Sequence, residues 1–262
     1  MNFFHVLILG IVEGITEFLP ISSTAHLEIV SNLLGILHTD FVKSFEIVIQ
    51  LGAILAVVVL YGKRIIHSRE IIIRMVIGFI PTGIIGFILY FFIKKYLLGN
   101  AWIAAIALFI GGLLMLAMEH YVSRKPQEIT SEQGIESLSY VDMIKLGIIQ
   151  SLAIIPGVSR SGAIIVGGMF MRIPRTVIIE TAFILAIPTM AAAAGYDLLK
   201  SGTAFTGHEW MMLSMGLIIT FIVSLIVIRW LLEYVRTKTF KFFGWYRIIL
   251  ALVVFAVLFI QR

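Results

Sequence analysis

Glu13-Gly-Ile-Thr-Glu17-Phe-Leu-Pro20-Ile-Ser22-Ser23-Thr24-Ala-His26 interrupts a segment that is otherwise almost wholly apolar. Glu13 and Glu17 lie four residues apart, so on a helix they share one face, a single turn apart. Pro20 and three hydroxyl residues then end that helix, and an imidazole follows. Carboxylates in an apolar membrane segment are costly, and the default reading is a functional site. A purely structural role, two glutamates tying helices together in a polar bundle interior, leaves the crowding of Ser22, Ser23, Thr24 and His26 unexplained.

The composition frames that stretch. Of 262 residues, 60% are hydrophobic and 13% charged, with a mean hydropathy of +1.05. No soluble domain has this balance; a polytopic α-helical membrane protein does. Long unbroken apolar runs replace the ten-residue alternation of an outer-membrane barrel. The net charge of +5 is spread over short loops, which reads as membrane topology and not as nucleic-acid binding. There is no cysteine, so thiol catalysis, thiolate metal sites and disulfides are excluded. The start has no basic region and no small-residue cleavage site, so Met1 is expected in the mature chain.

A spanning helix needs roughly 20 apolar residues. Six segments qualify: 41–62, 71–93, 101–120, 175–199, 210–232 and 243–261. Two others, 2–36 and 140–171, are apolar but broken at Pro20 to Thr24 and at Pro156 to Gly162. Broken backbone at membrane depth is tolerated where it is buried in protein or lines a wet cavity. The broken regions resemble each other. Gly10-Ile-Val-Glu13 parallels Gly147-Ile-Ile-Gln150, Pro20-Ile-Ser22-Ser23 parallels Pro156-Gly-Val-Ser159, and three spans follow each. The expected fold is therefore all-α, with six transmembrane helices plus two re-entrant helix pairs in an inverted repeat. The first repeat would be 1–121 (re-entrant region 2–36) and the second 140–262 (re-entrant region 140–171). Residues 122–139 would form a mobile cytoplasmic linker. An odd number of spans per half inverts one half against the other and sets the site near the midplane.

With both breaks re-entrant, one set of loops holds Lys63, Arg64, Arg69, Arg124, Lys125, Arg172, Arg175, Arg229, Arg236, Lys238, Lys241 and Arg247. The other holds Lys43, Lys94, Lys95, Lys200 and Arg262. The positive-inside rule makes the first set cytoplasmic. This predicts a multi-pass protein of the inner (plasma) membrane with both termini outside and a site opening outward.

The second break carries Pro156-Gly-Val-Ser159-Arg160-Ser161-Gly162. Arg160 is a permanent cation whose fork suits phosphate oxygens. Ser159 and Ser161 flank it, Gly162 lets backbone approach closely, and a helix restarting after Ser159 would aim free N–H groups at an anion. The plainer alternative is a structural ion pair between Arg160 and Glu13 or Glu17. Together the two motifs suit phosphoryl chemistry. Arg160 and N–H groups neutralise phosphate charge. Glu13 and Glu17 hold a divalent cation, Mg²⁺ or Ca²⁺. His26 or a serine acts as nucleophile or acid/base. Ser22, Thr24, Ser159, Ser161, Gly162 and Gln50 are the expected substrate contacts.

These two motifs resemble the paired signatures of the undecaprenyl-diphosphate phosphatase family, the bacitracin-resistance type. The likeness extends over essentially the whole chain, including Gln50-Leu-Gly-Ala-Ile-Leu-Ala-Val-Val-Val and Phe183-Ile-Leu-Ala-Ile-Pro188. It implies hydrolysis of a polyprenyl diphosphate lipid to the monophosphate and inorganic phosphate, recycling the lipid carrier of cell-wall synthesis. It also implies a fold of six spans and two re-entrant pairs. By resemblance Glu13 and Glu17 are the acidic pair, His26 and Ser23 the candidates for nucleophile or acid/base, and Arg160 the diphosphate clamp. The chain departs from the family pattern at Ala25 (usually glycine), Ile164 (usually threonine) and Ala182 (usually serine). The change at Ile164 is expected to cost a hydrogen bond to phosphate or to a catalytic neighbour. The expected partners are the lipid substrate and membrane lipids, with no nucleic acid and with a homodimer left open. The competing reading is a transporter or flippase of a polyprenyl phosphate, an architecture that also uses inverted repeats.

Other polar residues have plainer roles. Glu46 and Gln50 share a face of the first span, and Glu28 reads as structural. Arg74, Glu180 and Asp197 are expected to snorkel from helix ends. Pro81 and Pro188 are expected to kink their spans. Trp102, Trp210, Trp230 and Trp245 read as interface anchors, and Gly111 and Gly112 as a close helix contact.

Overall fold

A computed structural model describes residues 1–37, 39–97, 100–123, 134–201 and 205–260; residues 90, 91, 93–96 and 123 are described by backbone alone. All regular structure among them is helical. Helix α1 (Phe3–Thr16) starts where the side chain of Asn2 accepts a hydrogen bond from the His5 N–H at 2.9 Å. Its 14 residues give a length of ~21 Å, short of the ~30 Å hydrocarbon core. Residues 17–22 turn the chain into α2 (Ser23–Leu33). The second broken region is built alike. A capping box between Ser139 and Asp142 opens α7 (Tyr140–Gln150), a 3-10 turn (Ser151–Ile154) leads to Pro156, and α8 (Arg160–Phe170) follows. Gly157 sits there at φ +87°, a conformation glycine adopts without strain.

Six helical segments are long and apolar enough to cross a membrane, and they fall where the apolar runs put them. The first is not one helix. It is split at Ile49 into α3 (Asp40–Val48) and α4 (Gln50–His67), so that Gln50 opens a helix in mid-segment. The others are α5 (Arg69–Tyr96), α6 (Ala101–Ser123), α9 (Arg175–Ser201), α10 (Gly207–Thr237) and α11 (Lys241–Ile260). Pro81 and Pro188 both lie inside helices, α5 and α9.

The packing is reciprocal. α1 packs on α10 and α7 packs on α5, while α6 pairs with α11 and α4 with α9. The same small-residue device makes both cross-contacts. Thr220 Oγ1 on α10 donates to the Gly10 carbonyl (3.2 Å), and Thr82 Oγ1 on α5 donates to the Gly147 carbonyl (2.7 Å). Four residues before each threonine is a glycine, Gly216 or Gly78, whose carbonyl abuts Gly10 or Gly147. Small faces of this kind let helices approach in a medium where the hydrophobic effect does not drive them together. Gly112 meets the Gly244 carbonyl on α11 in the close contact expected of it.

Three expectations change. Arg247 is not a loop cation: it is only 2% exposed, on α11. Arg74 and Glu180 do not snorkel. Arg74 Nε donates to the Leu138 carbonyl (2.8 Å) and its guanidinium pairs with Glu70; Glu180 pairs with Arg64 at 2.8 Å. Most of the 122–139 linker, including Pro126, lies outside the described residues. Its described end is docked and not loose, with Ile135 fully buried and its N–H donated to Glu180 Oε1 at 3.0 Å.

Candidate active site

The two breaks meet in the core. Glu17 caps α1 in helical geometry, donating its N–H to the Glu13 carbonyl at 3.0 Å, so the two carboxylates are one turn apart as the spacing requires. Arg160, first residue of α8, donates from Nη2 to Glu17 Oε1 at 2.7 Å, and both side chains are nearly buried. Ser23, first residue of α2, donates its hydroxyl to Glu17 Oε2. One carboxylate thus links a cation from the second break to a hydroxyl from the first.

Ser159 caps α8 by accepting the Gly162 N–H at 3.1 Å. Ser161 Oγ donates to the Leu19 carbonyl at 3.0 Å and lies 3.0 Å from Ser159 Oγ. Ser22, which precedes α2, has φ +71°, a region uncommon for any residue with a side chain and typical of functional sites.

These residues open onto a cavity of about 230 Å³ lined by Glu17, Ser22, Ser23, Thr24, Ser159 and Arg160, and also by Gln50, Thr82, Gln150 and Thr189. The N-termini of α2 and α8 both lie on it, where unpaired backbone N–H groups and the helix dipole favour an anion. Two buried polar atoms on this lining have no partner: Arg160 Nη1, a donor, and Gln150 Oε1, an acceptor. Buried polar atoms without partners are rare enough to mark a place for a ligand.

Several expected residues sit elsewhere. Ser161 braces the second break against the first, Gly162 donates its N–H to Ser159 within the second break, and neither lines the cavity. Nor does His26. Its Nδ1 lies 2.7 Å from the Ser22 carbonyl and its Nε2 2.7 Å from the Tyr246 hydroxyl, with the two rings stacked 5.6 Å apart. Glu13 lies behind Glu17, fully buried, with no hydrogen-bond partner for either carboxylate oxygen. Ile164 is packed in the apolar core and away from the cavity, as is Ala182.

Sequence reasoning missed Arg247, Gln150, Thr82 and Thr189. Arg247 donates from Nη1 to the Pro20 carbonyl and from Nη2 to the Gly157 carbonyl, both at 3.0 Å, clamping the two breaks together. Gln150 Nε2 donates to the hydroxyls of Thr82 (3.0 Å) and Thr189 (3.1 Å). The available signal was a Pro-Thr pair inside two apolar spans, Pro81-Thr82 and Pro188-Thr189, each placing a hydroxyl at membrane depth.

Hard oxygen donors in the Glu13–Glu17 pair suit Mg²⁺ or Ca²⁺. The two free oxygens of Glu13 fit such an ion, although no group of three or more His, Cys, Asp or Glu among the described residues would enclose one.

This architecture defines a polytopic helical membrane protein whose two broken helix pairs meet at one polar cavity. The chain belongs to the bacitracin resistance protein BacA family, which it matches over residues 6–253. It is 49% identical over 253 residues to the undecaprenyl-diphosphatase of Aquifex aeolicus, covering 97% of each chain. It is 47% identical to that of a Sulfurihydrogenibium species over 96% of this chain and 98% of the relative. The Wolinella succinogenes undecaprenyl-diphosphatase is 44% identical over 97% of each.

Proposed function

We infer that this protein is an integral-membrane phosphatase that hydrolyses undecaprenyl diphosphate to undecaprenyl phosphate and inorganic phosphate. The observation that carries this reading is the Arg160–Glu17–Ser23 chain of hydrogen bonds on the wall of an anion cavity.

The roles follow from that geometry. The terminal phosphate enters between the N-termini of α2 and α8, where Arg160 Nη1 meets one of its oxygens. Ser23 Oγ attacks the terminal phosphorus while Glu17 accepts its proton. The bond from that phosphorus to the bridging oxygen breaks, and undecaprenyl phosphate leaves as a stabilised anion. Glu17 passes that proton to the departing phosphate and is again a carboxylate. Water then attacks the phosphoserine. Glu17 takes a proton from the water and hands it to Ser23 Oγ as the P–O bond breaks, releasing phosphate and restoring Ser23. Arg160 and the helix N–H groups stabilise charge on the transferring phosphoryl oxygens through both steps. Glu13 and Glu17 would hold a divalent cation, which would supply further neutralisation of phosphate charge. His26, engaged by Ser22 and Tyr246, holds the Ser22–Ser23 turn on α11.

Reciprocal α1–α10 and α7–α5 packing supports two inverted repeats, 1–121 and 140–262, with α1–α2 and α7–α8 as re-entrant pairs. The loop charges, which keep their bias without Arg247, support termini and a site mouth on the outer face.

The test is phosphate release from farnesyl diphosphate and a C55 diphosphate by protein purified in detergent, with and without Mg²⁺ or Ca²⁺, beside Glu17→Ala and Arg160→Ala. Release that both variants abolish supports the assignment. No release by the folded wild type would leave transport of a lipid phosphate as the better reading.

A further inference from the structure

A second cavity lies beside the anion site and differs from it in kind. It has about 280 Å³ of space between α5 and the 3-10 turn, lined by Ile85, Leu89 and Phe92 on one side and Leu152, Ile154 and Ile155 on the other. Its surface is almost wholly apolar. Ile154 lines both cavities, with its neighbour Ala153 on the polar side and Ile155 on the apolar side. The apolar groove and the phosphate site therefore lie side by side, with the Ile154 side chain between them.

Its outer rim is open to the surroundings of the protein. Leu89, Phe92 and Leu152 are each about half exposed, on a surface that in a bilayer faces acyl chains. The second break creates the groove. The 3-10 turn and Pro156 take the backbone off the helical path of α7 after Gln150, and the groove lies between that turn and α5.

We propose that this groove between α5 and residues 152–155 is the exit path of the isoprenoid chain, seating its first units while the diphosphate is held at Arg160. The proposal rests on the phosphatase reading above. It commits to the substrate's own chain as occupant because the groove abuts the diphosphate cavity at Ile154 and opens at its other rim onto the lipid-facing surface. The groove works by shape. Lipid is already as apolar as its walls, so little affinity comes from transfer into it. It gives the tail a way into the membrane while the head lies in a buried polar site, and so fixes the head in register with Ser23. A lipid whose first units are too bulky for the slot would be excluded.

Two experiments test this. A farnesyl diphosphate analogue bearing a benzophenone on its terminal isoprene is photolysed with the wild-type protein, and labelled peptides are mapped. Label within 85–92 and 152–155, displaced by C55 diphosphate but not by phosphatidylglycerol, is expected. Label on other spans, or equal displacement by phosphatidylglycerol, overturns the assignment.

The second compares Leu89→Trp, which fills the groove, with Phe87→Trp, on the membrane-facing side of the same helix and 84% exposed. One methylene more or less in an apolar pocket changes kcat/KM by roughly 10-fold or more, so Leu89→Trp, which takes the head out of register, should lower kcat/KM for C55 diphosphate about tenfold. Phe87→Trp should leave it unchanged. Equal effects from both variants, or none from either, sink the groove assignment. Absence of phosphate release by the wild type is a separate result and overturns the phosphatase reading itself.

Discussion

Arg247 Nη1 donates to the carbonyl oxygen of Pro20 at 3.0 Å, and its Nη2 reaches the Gly157 carbonyl at the same distance. A cation late in the chain thus holds the two backbone breaks 137 residues apart in one arrangement. Its remaining contacts are helix carbonyls of Leu108 and Ala107, and none of the described ion pairs includes it. Gly111 leaves the room in which the guanidinium lies. The clamp depends on the planar fork, since an ammonium cannot span carbonyls in those directions. Arg247→Met should leave two loop carbonyls unpaired, costing about 1–3 kcal/mol each. The measured sign is a lower Tm together with a loss of phosphate release. Arg247→Lys should lose most of the activity despite keeping the charge. Wild-type Tm and turnover in Arg247→Lys would show that charge alone is needed.

Ser23 and His26 make separable predictions. Ser23 lies on the cavity and donates to Glu17, whereas His26 stacks on Tyr246 with both ring nitrogens engaged. Ser23→Ala should reduce kcat by about 10³-fold or more, as loss of an attacking group does. His26→Ala, which removes two hydrogen bonds, should cost roughly 10- to 100-fold, and Tyr246→Phe, which removes one, about tenfold. If His26 attacks phosphorus instead, its removal will abolish turnover while Tyr246→Phe leaves it nearly unchanged.

Glu13 carries two buried oxygens with no partner, directly behind the Arg160–Glu17 pair. Arg160 already answers the charge of Glu17, so Glu13 is the carboxylate free for a cation. Glu13→Gln should weaken the Mg²⁺ or Ca²⁺ requirement, moving half-activation to concentrations about tenfold higher, since it removes one anionic ligand of a hard ion. A binding readout accompanies the kinetic one. The cation should raise the Tm of wild type in the presence of a non-hydrolysable diphosphonate, and do so less in the variant. Equal Tm shifts in both proteins would exclude Glu13 as a ligand.

The spans and breaks were legible because each leaves a local mark: twenty apolar residues, or a proline among hydroxyls. An ion pair of Arg160 was legible as the alternative to a phosphate clamp, since opposite charges in apolar surroundings have few other partners, but Glu13 and Glu17 were not told apart; the pairing goes to Glu17. The break at Ile49 was not legible, because Phe45-Glu-Ile-Val-Ile-Gln50 holds no proline or glycine and tertiary packing alone divides it. Arg247 misled for a related reason. It follows Trp245 and Tyr246 near the start of an apolar run, the usual place of a snorkelling cation. Only the contact of α11 with α6 turns it inward. Ser161 looked like a phosphate contact because it neighbours Arg160, but successive residues on a helix point about 100° apart, and that rotation aims it at Leu19.

The α4–α10 crossing gives the sharpest test of how closely the site depends on helix packing. A side chain at Gly52 would run into the Leu217 carbonyl and come within 3.1 Å of the Phe221 N and Thr220 Cβ, all on α10. Backbone cannot step aside as a flexible side chain can, so Gly52→Ala must push the helices apart, at about 1–3 kcal/mol for overpacking. Gln50 lies two residues away on the cavity wall, and Thr220 also ties α10 to Gly10 on α1. Tm and phosphate release should therefore fall together. Gly195→Ala is the control: nothing lies within 4 Å of its added methyl, and in a helix alanine is favoured over glycine by about 1 kcal/mol. That variant should match or exceed wild type in Tm with unchanged turnover. The same outcome for Gly52→Ala would mean that α4 and α10 are not in the close contact on which the position of Gln50 depends.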